Sequence, residues 1–110
     1  MNKPTLQSLI GKRVHFIGIG GAGMSGLARI SLSHGITVSG SDAKDSSVVK
    51  ALQALGATIS TTHAAANVDG ADLVVYSTAI STSNAELMRA QELKLVTLTR
   101  AAALSILMSE

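Results

Sequence analysis

The stretch Val14-His15-Phe16-Ile17-Gly18-Ile19-Gly20-Gly21-Ala22-Gly23-Met24-Ser25-Gly26-Leu27-Ala28 constrains the fold of this chain more than any other part of it. An apolar run breaks into glycines and opens directly into a helical pattern. A helix N-terminus presents unpaired backbone N–H groups and about half a positive charge. Glycine permits positive φ and lets an anion reach that backbone, because no side chain stands in the way. A succession of strand, glycine turn and helix therefore reads as a pyrophosphate-binding turn within a βαβ unit.

The spacing Gly18-x-Gly20-x-x-Gly23 fits the dinucleotide fingerprint, and a second register, Gly21-x-Gly23-x-x-Gly26, overlaps it. Asp42 supplies the acidic residue that the fingerprint places about 20 residues further on, at the end of a second strand. A branched side chain at Gly23 would stand where the backbone approaches the phosphates and would crowd helix against strand. The competing reading is a glycine turn that only packs a helix closely on a sheet.

Short runs rich in β-branched residues alternate with helical patterns along the whole chain, which argues for parallel strands joined by crossover helices. Strands are expected over residues 13–19, 37–41, 58–60, 73–77 and 96–98. Helices are expected over 22–34 and 47–55, stopped by Gly35 and Gly56, with a third beginning after Ser83 and carrying Glu86 in its first turn. The fold class that follows is α/β, a Rossmann-like parallel sheet of about five strands with helices on both faces. The carboxyl ends of the strands then bring Gly20, Gly21, Ala22, Gly23, the pair Ser41 and Asp42, the pair Thr62 and His63, and residues 77–81 to one edge. Ligands of open α/β sheets bind at that edge.

At 110 residues the chain is long enough for one domain and too short for a two-lobed dinucleotide fold with a substrate domain. A net charge of +2 and only two aromatic residues, Phe16 and Tyr76, leave neither a phosphate-tracking stripe nor a stacking platform for nucleic acid. The absence of cysteine excludes disulfides and thiolate metal sites. The first five residues lack the apolar core of a signal peptide, and no run is long enough for a membrane span, so a cytoplasmic chain is expected. Residues 100–110 read as a helix apolar on nearly every face, marking the boundary of a domain over 1–99 and the way into further protein.

Asp42 is placed to accept hydrogen bonds from ribose hydroxyls, or to cap a turn. His63, at the same edge, can meet a phosphate oxygen or a sugar hydroxyl. His15 and His34 have structural places, at a strand start and in the last turn of a helix. The uncharged segment Ser77-Thr78-Ala79-Ile80 offers hydroxyls and backbone N–H groups for a second phosphate, whereas Thr82 and Ser83 read as loop and helix cap. No G-x-x-x-x-G-K-[ST] loop, no nucleophile paired with a base and no metal-ligand cluster is present, so no catalytic residue and no bound cofactor is expected in these residues themselves. By its residues alone the chain is a binding module, and a nicotinamide-dinucleotide domain or a purely structural module fits the glycine turn as well.

The string from His15 to Ala28, followed by Gly40-Ser41-Asp42, Leu55-Gly56-Ala57, His63 and Tyr76-Ser77-Thr78-Ala79-Ile80, resembles the N-terminal domain of the Mur ligases over nearly the whole chain. Within the family it is most similar to the enzymes that join L-alanine to UDP-N-acetylmuramate. The resemblance implies a three-domain enzyme in which this domain holds the UDP part of UDP-N-acetylmuramate, a central domain binds ATP and magnesium, and a C-terminal domain helps bind the amino acid. It implies that ATP phosphorylates the muramic-acid carboxylate and that the amine of L-alanine displaces the phosphate. Gly20, Gly21, Ala22, Gly23 and Met24 then become the diphosphate cradle, Asp42 a nucleoside contact, and His63 with Ser77, Thr78, Ala79 and Ile80 further contacts to diphosphate or sugar. Three departures stand out: Thr62 where the family tends to glycine, Ala85 where proline is usual, and Arg100-Ala101-Ala102-Ala103 where a more polar run is common.

Overall fold

The computed structural model describes residues 4–108. Met1, Asn2 and Lys3 of the expected leaderless N-terminus, and Ser109 and Glu110 of the expected last helix, lie outside the described residues. Helix α1 (Leu6–Leu9) leads into β1 (Arg13–Ile17), α2 (Ala22–Ser33), β2 (Thr37–Ser41), α3 (Ser47–Ala54) and β3 (Thr58–Ser60). A 3-10 turn over Ala65–Val68 then precedes β4 (Leu73–Tyr76), α4 (Ala85–Glu92), β5 (Val96–Thr99) and α5 (Arg100–Leu107). All strand pairings are parallel, in the order β3-β2-β1-β4-β5. The fold is the expected α/β Rossmann-like sheet of five strands with helices on both faces.

Alternation along the strands divides the core in two. Val14 and Phe16 of β1, with Leu73 and Val75 of β4, face α2, α3 and α5 through Met24, Leu27, Ala28, Leu52, Ala103 and Leu107. Ile17 and Val74 face the opposite way, against Val68 of the 3-10 turn, Ala71 just before β4, and Leu87 and Ala90 of α4. Order reverses at β1, which lies between β2 and β4, and the ends of these strands form the crevice where such sheets bind ligands.

Where the chain departs from expectation, local geometry explains it. β1 ends at Ile17 rather than Ile19, because Gly18 turns to φ +79 and the N–H groups of Gly18 and Ile19 both donate to the carbonyl of Ser41, at 2.8 and 3.0 Å. The chain thus folds across the end of β2, and Gly40 makes the crossing possible. A Cβ there would lie 2.9 Å from the carbonyl oxygen of Phe16 and 2.8 Å from Cβ of Ile19. The cap of α4 is Asn84 rather than Thr82 or Ser83: its side chain accepts from the N–H groups of Glu86 and Leu87. Ala85 is then the first helical residue, where proline is also tolerated because that N–H has no helical partner.

Candidate functional site

Every α-helix except α2 has its N-terminus closed by a side chain: Thr5, Ser46, Asn84 and Thr99 each accept from a first-turn N–H. α2 begins at Gly21, which has no side chain to offer, and the N–H groups of Ala22, Gly23 and Met24 make no hydrogen bond among the described residues. Gly21, Ala22 and Gly23 are exposed. Three unpaired donors at the positive end of a 12-residue helix form a cradle for an anion. Gly20 is not free in this way, since its N–H donates to Oδ2 of Asp42 at 2.8 Å.

Asp42 therefore acts as a loop brace. Its second oxygen, Oδ1, accepts from the N–H of Lys44 at 2.9 Å. Each carboxylate oxygen has two lone pairs, so the contacts leave acceptor capacity on the half-buried side chain for a further donor. Ser41 lies beneath the loop, fully buried, with its carbonyl holding Gly18 and Ile19.

Across the crevice, Ser77 starts a turn in which its carbonyl accepts from the N–H of Ile80 at 2.9 Å and its hydroxyl accepts from the N–H of Ala79 at 3.1 Å. Thr78 and Ala79 are exposed at its tip. A Cβ placed on Gly18 would lie 3.7 Å from Cδ1 of Ile80, so this turn stands directly beside the glycine loop. Between Ser77, Thr78, Thr99, Arg100 and Ala101 opens a cavity of about 190 Å³.

Arg100 was not foreseen as part of this site. A Cβ on Gly23 would meet Cδ of Arg100 at 2.5 Å and Nε at 2.9 Å. The neighbour of Gly23 is thus the flexible stem of an arginine on α5, and not the sheet, as the reading of helix crowded against strand required. Gly26 has open space around it and contributes no close approach. The guanidinium of Arg100 makes no hydrogen bond or ion pair among the described residues. Its planar donors beside an open helix N-terminus suit phosphate.

Behind the crevice lies a buried polar network that the sequence reading passed over. Glu86, expected only as a favourable charge at the start of α4, is 0% exposed. Its Oε1 accepts from Nε2 of His15 at 2.6 Å and from the hydroxyl of Ser41 at 2.7 Å. Its Oε2 accepts from the N–H of Ala64 at 3.0 Å and from Nδ2 of Asn67 at 2.9 Å. Burial alone would raise the pKa of this carboxyl; hydrogen bonds from His15, Asn67 and Ser41, with the charge of His15, outweigh it and hold the value at about 2. His15 is buried at the middle of the sheet, its Nδ1 2.8 Å from the hydroxyl of Ser39. His63 is the outermost member, its Nδ1 2.8 Å from the hydroxyl of Ser41 and 3.6 Å from Oε2 of Glu86, with 28% of its side chain exposed. The network ties β1, β2, the 3-10 turn and α4 to the edge that carries the glycine loop.

Comparison with known proteins bears on the fold and the family. The family described as "Mur ligase family, catalytic domain" matches residues 13–110. The UDP-N-acetylmuramate–L-alanine ligase of Thermobifida fusca is 55% identical over 96 residues, which are 87% of this chain and 20% of that protein. The enzyme of the same description from Persephonella marina is 50% identical over 97 residues, 88% of this chain and 21% of that one. Among solved structures, the UDP-N-acetylmuramate–alanine ligase of Thermotoga maritima superposes with a TM-score of 0.81 at 33% identity, covering 84% of this chain and 22% of its own. A murein peptide ligase of Psychrobacter arcticus gives the same TM-score at 30% identity, covering 86% and 20%. The chain spans about a fifth of the length of the relatives it matches. A family match over nearly all of the sequence, together with relatives about half identical to it, establishes that this chain belongs to the Mur ligase family.

Proposed function

We propose that this domain holds the UDP moiety of UDP-N-acetylmuramate for a ligase that joins L-alanine to the muramoyl carboxylate. The observation that carries the reading is the open N-terminus of α2, with three unpaired N–H groups facing the crevice in a chain whose relatives act, by their names, on UDP-N-acetylmuramate. Gly21, Ala22, Gly23 and Met24 take the diphosphate, with Arg100 as a counter-charge. Gly20 and Asp42 keep the loop in shape, and Asp42 retains capacity to accept from a ribose hydroxyl. Ser77, Thr78, Ala79 and Ile80 form the opposite wall.

Residues 1–99 are assigned to this substrate domain, to whose core α5 adds Ala103 and Leu107, and residues 100–110 lead on from it toward an ATP-binding domain and a C-terminal domain of the same cytoplasmic enzyme. Where ATP and magnesium are concerned, the described side chains do not fit them: they include no group of three or more His, Cys, Asp or Glu side chains able to hold a metal, and the sequence has no phosphate-binding loop lysine. We assign both to the other domains, and expect this chain alone to release no phosphate from ATP when given UDP-N-acetylmuramate, L-alanine and magnesium.

Calorimetric titration tests the reading. UDP should bind more tightly than UMP, because the monophosphate leaves part of the α2 cradle facing water. Gly23→Val should lose UDP about a hundredfold while staying folded, since its side chain meets no backbone but displaces Arg100, a counter-charge to the diphosphate, and occupies the approach to the N–H groups. Equal affinity for UMP and UDP, or wild-type affinity in folded Gly23→Val, would show that the loop serves the fold alone.

A further inference from the structure

The hydrogen-bond inventory of the buried network fixes a proton that the geometry of heavy atoms alone leaves open. An ionised carboxylate only accepts, with two positions on each oxygen. Glu86 has all four filled: His15 and Ser41 on Oε1, Ala64 and Asn67 on Oε2. The hydroxyl of Ser41 has one hydrogen, and it is spent on Glu86. Toward His63, 2.8 Å away, that hydroxyl can only accept. The hydrogen between them must therefore sit on Nδ1 of His63. The other ring nitrogen, Nε2, makes no hydrogen bond among the described residues, and on a neutral ring it carries a lone pair.

We propose that Glu86, acting through Ser41, is a positioning residue that fixes neutral His63 as its Nδ1–H tautomer, so that Nε2 meets the ligand as an acceptor and takes a sugar hydroxyl rather than a phosphate oxygen. The assignment of a ligand group rests on the reading of this edge as a UDP-sugar site; the tautomer does not. A lone pair facing a phosphate oxygen would be repelled, whereas a ribose or amino-sugar hydroxyl supplies the donor that Nε2 lacks. The diphosphate is left to the helix N-terminus and Arg100, and His63 discriminates by the presence of a sugar.

Long-range proton–nitrogen NMR on the 110-residue chain reads the tautomer without any ligand. At a pH where the nitrogen shifts show the His63 ring to be neutral, Nδ1 should carry the proton and Nε2 should have the shift of an unprotonated ring nitrogen. Ser41→Ala and Glu86→Gln, each checked for a folded spectrum, should relax His63 toward a mixture of tautomers. A proton on Nε2 in the wild type, or an unchanged tautomer in folded Ser41→Ala, would overturn the positioning role. Titration of His63→Ala then decides the ligand group. UDP-N-acetylmuramate should weaken about fivefold to tenfold, while inorganic pyrophosphate binds as before. Equal weakening of both would make His63 a phosphate contact and overturn the hydroxyl assignment, as would no change in either. A wild-type chain that binds none of these ligands would remove the UDP-sugar reading and the hydroxyl assignment with it, with the tautomer decided by the ligand-free spectra.

Discussion

Glu86→Ala is expected to cost this domain about 3–5 kcal/mol of folding stability, the range seen when one partner is removed from a buried charged pair. The substitution removes no large apolar surface. It takes the acceptor from two buried donors, Nε2 of His15 and the hydroxyl of Ser41, and from two part-buried ones, the N–H of Ala64 and Nδ2 of Asn67. Each buried group left unsatisfied costs about 1–3 kcal/mol, partly relieved where the site relaxes. A domain of this size has about 5–15 kcal/mol in all, so denaturant midpoints at neutral pH should fall steeply with little change in slope. A loss under about 1 kcal/mol would mean that the network is not formed as described.

The same carboxylate sets an acid limit. Its pKa is lowered from an ordinary 4.5 to about 2, so between those values the unfolded chain binds a proton that the folded chain does not. Stability from this group is fully present above pH 4.5 and is lost as pH falls toward 2. Wild type should show that slope and Glu86→Ala should lack it.

Gly40→Val is expected to destabilise by about 3 kcal/mol, at the upper end of what overpacking costs. A Cβ at this position would meet Cδ1 and Cβ of Ile19 at 2.6 and 2.8 Å and the backbone oxygen of Phe16 at 2.9 Å. Rotating Cδ1 of Ile19 away would not relieve the clash, because the other two contacts are fixed by the backbone. Those atoms belong to the central strand and to the loop that crosses β2, so relief requires moving the glycine loop itself. Thermal unfolding and UDP affinity should therefore fall together. Gly26→Val, in open space, should leave the loop in place; a comparable loss in both variants would contradict the crossing as the cause.

Much of this was legible from local patterns, and what was not depends on distant partners. The strands, the glycine turn and the convergence of four loops follow from period, turn chemistry and parallel topology, all of which short stretches record. Helix α1 and the 3-10 turn, of four residues each, are too short to display a period. Glu86 fits the first turn of a helix so well that its charge looked explained, yet its partner His15 is 71 positions away. A signal did exist. His15, Ser39 and Ser41 interrupt apolar strands and, by register, share one face of the sheet, and polar groups buried in that way require a partner opposite them. Arg100 reaches Gly23 only because α5 folds back onto α2, which no local pattern announces. Asp42 caps the turn, one of the two readings given to it, through the N–H groups of Gly20 and Lys44.

The central claim, that the open N-terminus of α2 and the turn facing it hold the diphosphate of a UDP-sugar, is tested most directly by amide NMR of the chain titrated with UDP-N-acetylmuramate. The N–H resonances of Ala22, Gly23 and Met24 should move furthest, with those of Thr78 and Ala79 following, and neither oxidised nor reduced nicotinamide dinucleotide should displace the sugar nucleotide. Tighter binding of a nicotinamide dinucleotide, or saturation by UDP-N-acetylmuramate with the α2 amides unmoved, would contradict the account.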